Sequence, residues 1–120
     1  PGEHDRRPLP ATGREVVLSM NLGPIPDSRW TCELLIGLPS SPDAAVSAPP
    51  PLATVNGQPC ELLGDVPAVK QGHVLIRAIT FKVPLTALTG IDVHRIKVIS
   101  QTQEELAVHR AEVAFKAPKK

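Results

Sequence analysis

"ATVNGQPCELL", residues 53–63, is the stretch that decides the fold. Asn56-Gly57 reads as a two-residue type I′ hairpin turn, because both central positions need positive φ and Asn and Gly adopt it at least cost. "LATV" before it and "QPCELL" after it are short and apolar, as paired strands require. Pro59 lies just past the turn, so its arm is expected at a sheet edge or strand start, where a missing ladder donor is tolerated. Cys60 follows in the phase of a small inward side chain. A chain that reverses in two residues builds antiparallel sheet.

The flanking segments carry the same message. Upstream, "RWTCELLIGL" sets Trp30, Cys32, Leu34, Ile36 and Leu38 on one face and Thr31 and Glu33 on the other, the period-two signature of a half-buried strand. "EVVLSMNL" alternates through Val16, Leu18, Met20 and Leu22 before "GPIPDS" breaks it. "PSSPDAAVSAPPP" reads as a loop by its prolines. Downstream, "HVLIRAITFKV" is β-branched and ends at Pro84, which predicts a central strand with a phase change near Thr80. "PLTALTG" suits one helical turn, and "HRIKVIS" and "LAVHRAEVAF" are two further strands, with Ala111, Val113 and Phe115 inward. No segment sustains a 3.6-residue apolar period. Seven or eight short strands predict an all-β, antiparallel β-sandwich or jelly roll.

Length and composition set the bounds. The chain has 120 residues and a formal net charge of +1, enough for one modest core and no electrostatic footprint for nucleic acid. Residues 1–13 read as a linker or flexible tail, 14–117 as the domain and 118–120 as a basic tail. No stretch reaches the apolar length that spans a bilayer. "PGEHDRRPLP" lacks the apolar middle of a signal peptide, and a start at Pro rather than Met reads as a piece of a longer chain. Cys32 and Cys60 have two readings. They pair across neighbouring strands, closing a loop worth roughly 3 kcal/mol, or each is a small buried hydrophobe.

Reactive chemistry is hard to find. His4, His73, His94 and His109 show no metal-ligand spacing and are expected at surfaces or edges. Glu104-Glu105, Asp43, Asp65 and Asp92 form no recognisable acid pair, and no D-x-D-x-D cluster supports a structural calcium. Ser19, Ser28 and Ser47 lack a nucleophile-elbow context. Cys32 sits mid-strand among apolar residues, where a thiol is normally inert. The aromatic rings are Trp30, Phe81 and Phe115, all in phase with apolar neighbours. Trp30 alone, beside Arg29 at a strand start, is a candidate for touching a ligand.

The order of elements resembles a family. "TVNGQPCEL", "LIRAITFKVPLTALTG", "HRIKVIS" and "VHRAEVAF" are similar to the C-terminal half of the galactose-binding-like β-sandwiches that accompany many bacterial glycoside hydrolases. Val83-Pro84, Leu88, Gly90, Ile96-x-Val98, Ala111-Glu112 and Phe115 fit the pattern over about residues 52–116. His94 stands where the family usually has Asn, and "GIDVH" is longer than its usual turn. The resemblance implies a non-catalytic, secreted or extracellular accessory domain without cofactor, partnered by a polysaccharide or an adjacent catalytic domain. The alternative is an immunoglobulin-like structural or interaction module with no ligand of its own. No enzymatic activity, nucleic acid or membrane is expected.

Overall fold

Alternation in residues 31–39 folds as predicted: Thr31–Pro39 is a strand whose even positions Cys32, Leu34, Ile36 and Leu38 are buried. The computed structural model describes residues 11–27, 29–39, 49–72, 74–90 and 92–118. Within them the chain forms β1 (Ala11–Gly13), β2 (Glu15–Met20), β3 (Thr31–Pro39), β4 (Leu52–Val55), β5 (Gln58–Pro59), β6 (Glu61–Gln71), β7 (Val74–Val83), a 3₁₀ turn (Leu85–Ala87), β8 (His94–Ile99), β9 (Leu106–Val108) and β10 (Arg110–Lys116). The fold is all-β. Its count of strands exceeds seven or eight because the two-residue β5 and the small β1–β9 ribbon add to the longer ones.

Two four-stranded antiparallel sheets, in the orders β10-β3-β7-β6 and β2-β8-β4-β5, carry the core between them. The first contributes Cys32, Leu34, Ile36, Ile79, Phe81 and Val83; the second contributes Val16, Leu18, Ala53, Val55, Ile96 and Val98. Each row repeats every second residue because successive strand side chains point to opposite faces. Leu88, just after the 3₁₀ turn, is 1% exposed and joins the same cluster. Pairing begins at Ala11, inside the segment read as a tail, where a buried Ala11 stands opposite Val108.

The hairpin forms as read. Asn56 and Gly57 have φ of 51° and 86°, and β5 with Pro59 lies at a sheet edge. Cys60 then donates its N–H to Ala53 O at 2.9 Å, and the next residue, Glu61, pairs with Lys82 in the other sheet. The chain therefore changes sheets at Cys60. Strand β6 is itself an edge, with register shifts at 62/64 and 66/69 and Pro67 in the second. Bulges and proline blunt an edge against further pairing.

One expectation is corrected. Strand β7 alternates without a break at Thr80: Val83, Phe81 and Ile79 all face the core. The apolar phase slips instead between Ile79 and Ile76, because Ile76 is buried on the outer face over Gly37, its near neighbour across β3 and β7. A Cβ at Gly37 would lie 2.9 Å from Ile76 Cγ2 and 3.0 Å from Arg110 Cβ.

Two substitutions test this. Gly57→Val meets no neighbour within 4 Å, so its cost is backbone strain alone, about 1–3 kcal/mol. A thermal melt without a fall would remove the type I′ turn. Gly37→Ala costs a similar amount, roughly 1–3 kcal/mol, by overpacking instead. Combined with Ile76→Ala, which removes the Cγ2 that the new methyl would strike, it should cost less in denaturant titrations than the two single changes added together.

Candidate functional site

Register gathers the informative residues at one end of the sandwich. Met20 at the end of β2 is opposite His94 at the start of β8, and Val55 beside the hairpin turn is opposite Ile96. Cys32, two residues after Trp30, is opposite Val83, the last residue before the Pro84 elbow. The β2–β3 loop, the Asn56-Gly57 turn, the elbow and the start of β8 therefore share that end.

Asn56 ties them together. Its Oδ1 accepts the Arg95 N–H at 2.8 Å, and its own N–H donates to Arg95 O at 2.8 Å. Its Nδ2 donates to Ala87 O at 2.8 Å and lies 3.0 Å from His94 Nδ1. A backbone N–H can only donate, so the Arg95 contact fixes which way the amide points. His94 Nδ1 must then accept, and the neutral ring carries its proton on Nε2. His94 is fully buried, and its Nε2 has no hydrogen-bond partner among the described residues. The surface or edge position expected for this histidine is thus corrected: it shares the inward phase of Ile96 and Val98. That phase was visible in "HRIKVIS". The bracket was not, because it joins residues 38 positions apart.

Between the β2–β3 loop and the elbow is an open cup of about 570 Å³, lined by Ile25, Pro26, Asp27, Leu88, Thr89 and Asp92 with Gly23 and Gly90. Leu88 makes a buried apolar floor. Asp27 is folded back on Arg29: Oδ1 accepts its N–H at 2.9 Å and Oδ2 accepts from Nη2 at 3.0 Å. The Arg29 side chain and then its N–H hold the Asp27 carboxyl below the usual carboxylate range. Asp92 and Thr89 are exposed on the opposite rim. Trp30 is half-buried just before β3, its N–H on Asp27 O at 3.1 Å. It is the one aromatic side chain in the cup's supporting loop.

A second groove of about 450 Å³ crosses the outer face of the second sheet, lined by Thr54, Asn56, Gly57, Val93, Arg95 and Lys97. Arg95 and Lys97 occupy the phase opposite to buried His94, Ile96 and Val98. Lys97 pairs with Glu15 at 3.2 Å across an exposed surface. At the far end of the molecule, Asp65 and Arg77 form a half-buried two-point ion pair at 2.8 and 2.6 Å.

Other sequence candidates are not brought together. Cys32 and Cys60 are free thiols, so the bonded alternative is not realised. Cys32 stands opposite Val83 on one side of β7, while Glu61, next to Cys60, pairs on the other side. Burial pushes the Cys32 thiol up to about 12, helped by Cys60 and Glu33, and burial pushes Cys60 up to about 11. Neither is a nucleophile at neutral pH. Glu104, Glu105 and His109 are exposed. No group of three or more His, Cys, Asp or Glu is placed to hold a metal among the described residues. His4, His73, Ser28, Asp43 and Ser47 lie outside them.

Comparison with known proteins adds no identity: no protein-family model and no curated protein matches this chain.

The His94 bracket makes stability depend on pH. Burial holds the His94 pKa below the ordinary 6.5, opposed in part by Asp92. The unfolded chain then binds the proton more readily, so the stability is fully present above pH 6.5 and falls as pH drops below it, levelling off once the folded-state pKa is passed. The slope cannot exceed about 1.4 kcal/mol per pH unit for one proton. Urea titrations between pH 8 and 5 should show this loss in the native chain and not in His94→Gln, which keeps an acceptor for Asn56 but does not titrate. Parallel pH profiles for the two would refute the bracket.

Proposed function

We propose that this chain is a non-catalytic accessory module of a carbohydrate-active protein, holding a glycan weakly at the loop-bearing end of the sandwich beside a catalytic domain. The observation that carries this reading is the open cup at that end. Its size lies within the roughly 300–1,000 Å³ of small-ligand sites. Leu88, Ile25 and Pro26 offer an apolar base to the C–H faces of a sugar, and Asp92 and Thr89 offer hydrogen-bonding groups to its hydroxyls. Trp30, carried by the same β2–β3 loop as Ile25, Pro26 and Asp27 though not itself lining the cup, is the candidate for ring stacking, a contact worth about 0.5–1.5 kcal/mol between aromatic rings beyond the area buried. An accessory role is supported by how the reactive groups are used. The buried imidazole is tied into the Asn56 bracket, both thiols are held protonated, and Asp27 is bound to Arg29.

One observation favours a second reading, a protein-interaction module without its own ligand. Leu62, Leu63 and Val66 are each about half exposed at edge strand β6, Leu62 on the face of Phe81 and Val66 on that of Ala78, and apolar side chains gathered at a sheet edge mark a contact surface.

Affinity electrophoresis through gels cast with insoluble-polysaccharide extracts and soluble β-glucans separates the two. The first reading expects at least one neutral glycan to retard the native chain, and Trp30→Ala to lose most of that retardation with its melting temperature unchanged. Migration indifferent to every glycan would discard it in favour of the interaction module.

A further inference from the structure

We propose that the outer face of β8 is a separate site for an acidic sugar, its carboxylate or sulfate held by Arg95 and Lys97 next to Thr54. The inference rests on the glycan-module reading but uses a different surface from the cup.

Register fixes the constellation. Lys97 is flanked directly by Val17 on β2 and Thr54 on β4, and Arg95 by Ser19 on β2. Arg95 and Lys97 are two residues apart on one face, so their backbone positions are about 6.7 Å apart along the strand. Two cations at that separation repel, and among the described residues the ion pair here is that of Lys97 with Glu15. Arg77 and Arg110, the other arginines within strands, are bonded to Asp65 and Glu112. Arg95 alone of these three has no carboxylate partner among the described residues.

Arg95 is also held unusually firmly. Its N–H and C=O are both bonded to Asn56, at 2.8 Å each, which fixes where its guanidinium is launched. A planar guanidinium meets a carboxylate or sulfate through two parallel N–H···O bonds, and a neighbouring ammonium adds a point charge. The groove's remaining surface suits the rest of a sugar. The Thr54 hydroxyl can pair with a ring hydroxyl, and Val93, 59% exposed, presents an apolar side chain. No aromatic lines the groove, so neutral sugars that depend on stacking gain little here. Two cations, one already matched, are too few for the several phosphate contacts of a nucleic acid.

Native gels cast with polygalacturonate, dextran sulfate or neutral dextran test this, the first two distinguishing carboxylate from sulfate. The expected result is retardation by at least one acidic polymer and none by dextran. Arg95→Ala and Lys97→Ala should each weaken that affinity on the order of tenfold, the loss of one charge-assisted contact. Lys82→Ala, which removes the same charge from the exposed face of the opposite sheet, should change nothing. No retardation by either acidic polymer overturns the site, as does equal weakening by Lys82→Ala or equal retardation by double-stranded DNA, both of which signify unspecific charge. If neutral glycans retard the chain through Trp30 and acidic ones do not, this site falls while the accessory-module reading stands.

Discussion

Asn56 carries four hydrogen bonds from a backbone position that few residues adopt, with φ of 51°. Aspartate tolerates such a conformation too, but a carboxylate has no N–H for Ala87 O or His94 Nδ1. Glycine would keep the turn and lose every side-chain contact. The position therefore demands an amide. Through it the hairpin turn, the elbow after β7 and the first residues of β8 become one unit, although they are far apart in the chain. Buried polar networks of this kind are costly when incomplete, and the orphaned His94 Nε2 is the incomplete part.

The sheet interior was legible in the sequence because period-two alternation is a local property. Cys32 through Leu38 and Val16 through Leu18 show their buried faces to anyone counting in twos. The type I′ turn was legible because its chemistry is confined to Asn56 and Gly57. What escaped depended on distant neighbours. The apparent slip of phase in "HVLIRAITFKV" arises from the missing side chain at Gly37, which lets Ile76 bury itself on the outer face. The burial of His94 was readable from its phase, yet histidine as a residue type is only intermediate in burial, so its identity alone does not point inward. The cup and the outer groove were not readable at all, since loops separated by some sixty residues form the first and cross-strand register assembles the second.

The two candidate surfaces differ in what holds them. The cup is lined from turns, by Gly23, Ile25, Pro26 and Asp27 on one side and Leu88, Thr89, Gly90 and Asp92 on the other, outside the sheet ladders. The groove lies on central strands β8 and β4, where ladder bonds on both sides of β8 fix each side chain's origin. Sites on rigid elements are better preorganised than sites on loops. A molecule of this build would be tolerant at its tip and selective along its flank.

The two thiols, finally, sit at different depths of the same interior. Cys60 is half-buried where the chain passes from one sheet to the other, whereas Cys32 is 1% exposed near the start of the inner strand β3. A thiol-specific label can react only when its target is uncovered, so parting of the two layers near the crossover would mark Cys60 well before the whole body comes apart and yields Cys32. The protein thus carries a built-in pair of chemical clocks, one timing its local breathing and the other its complete disassembly.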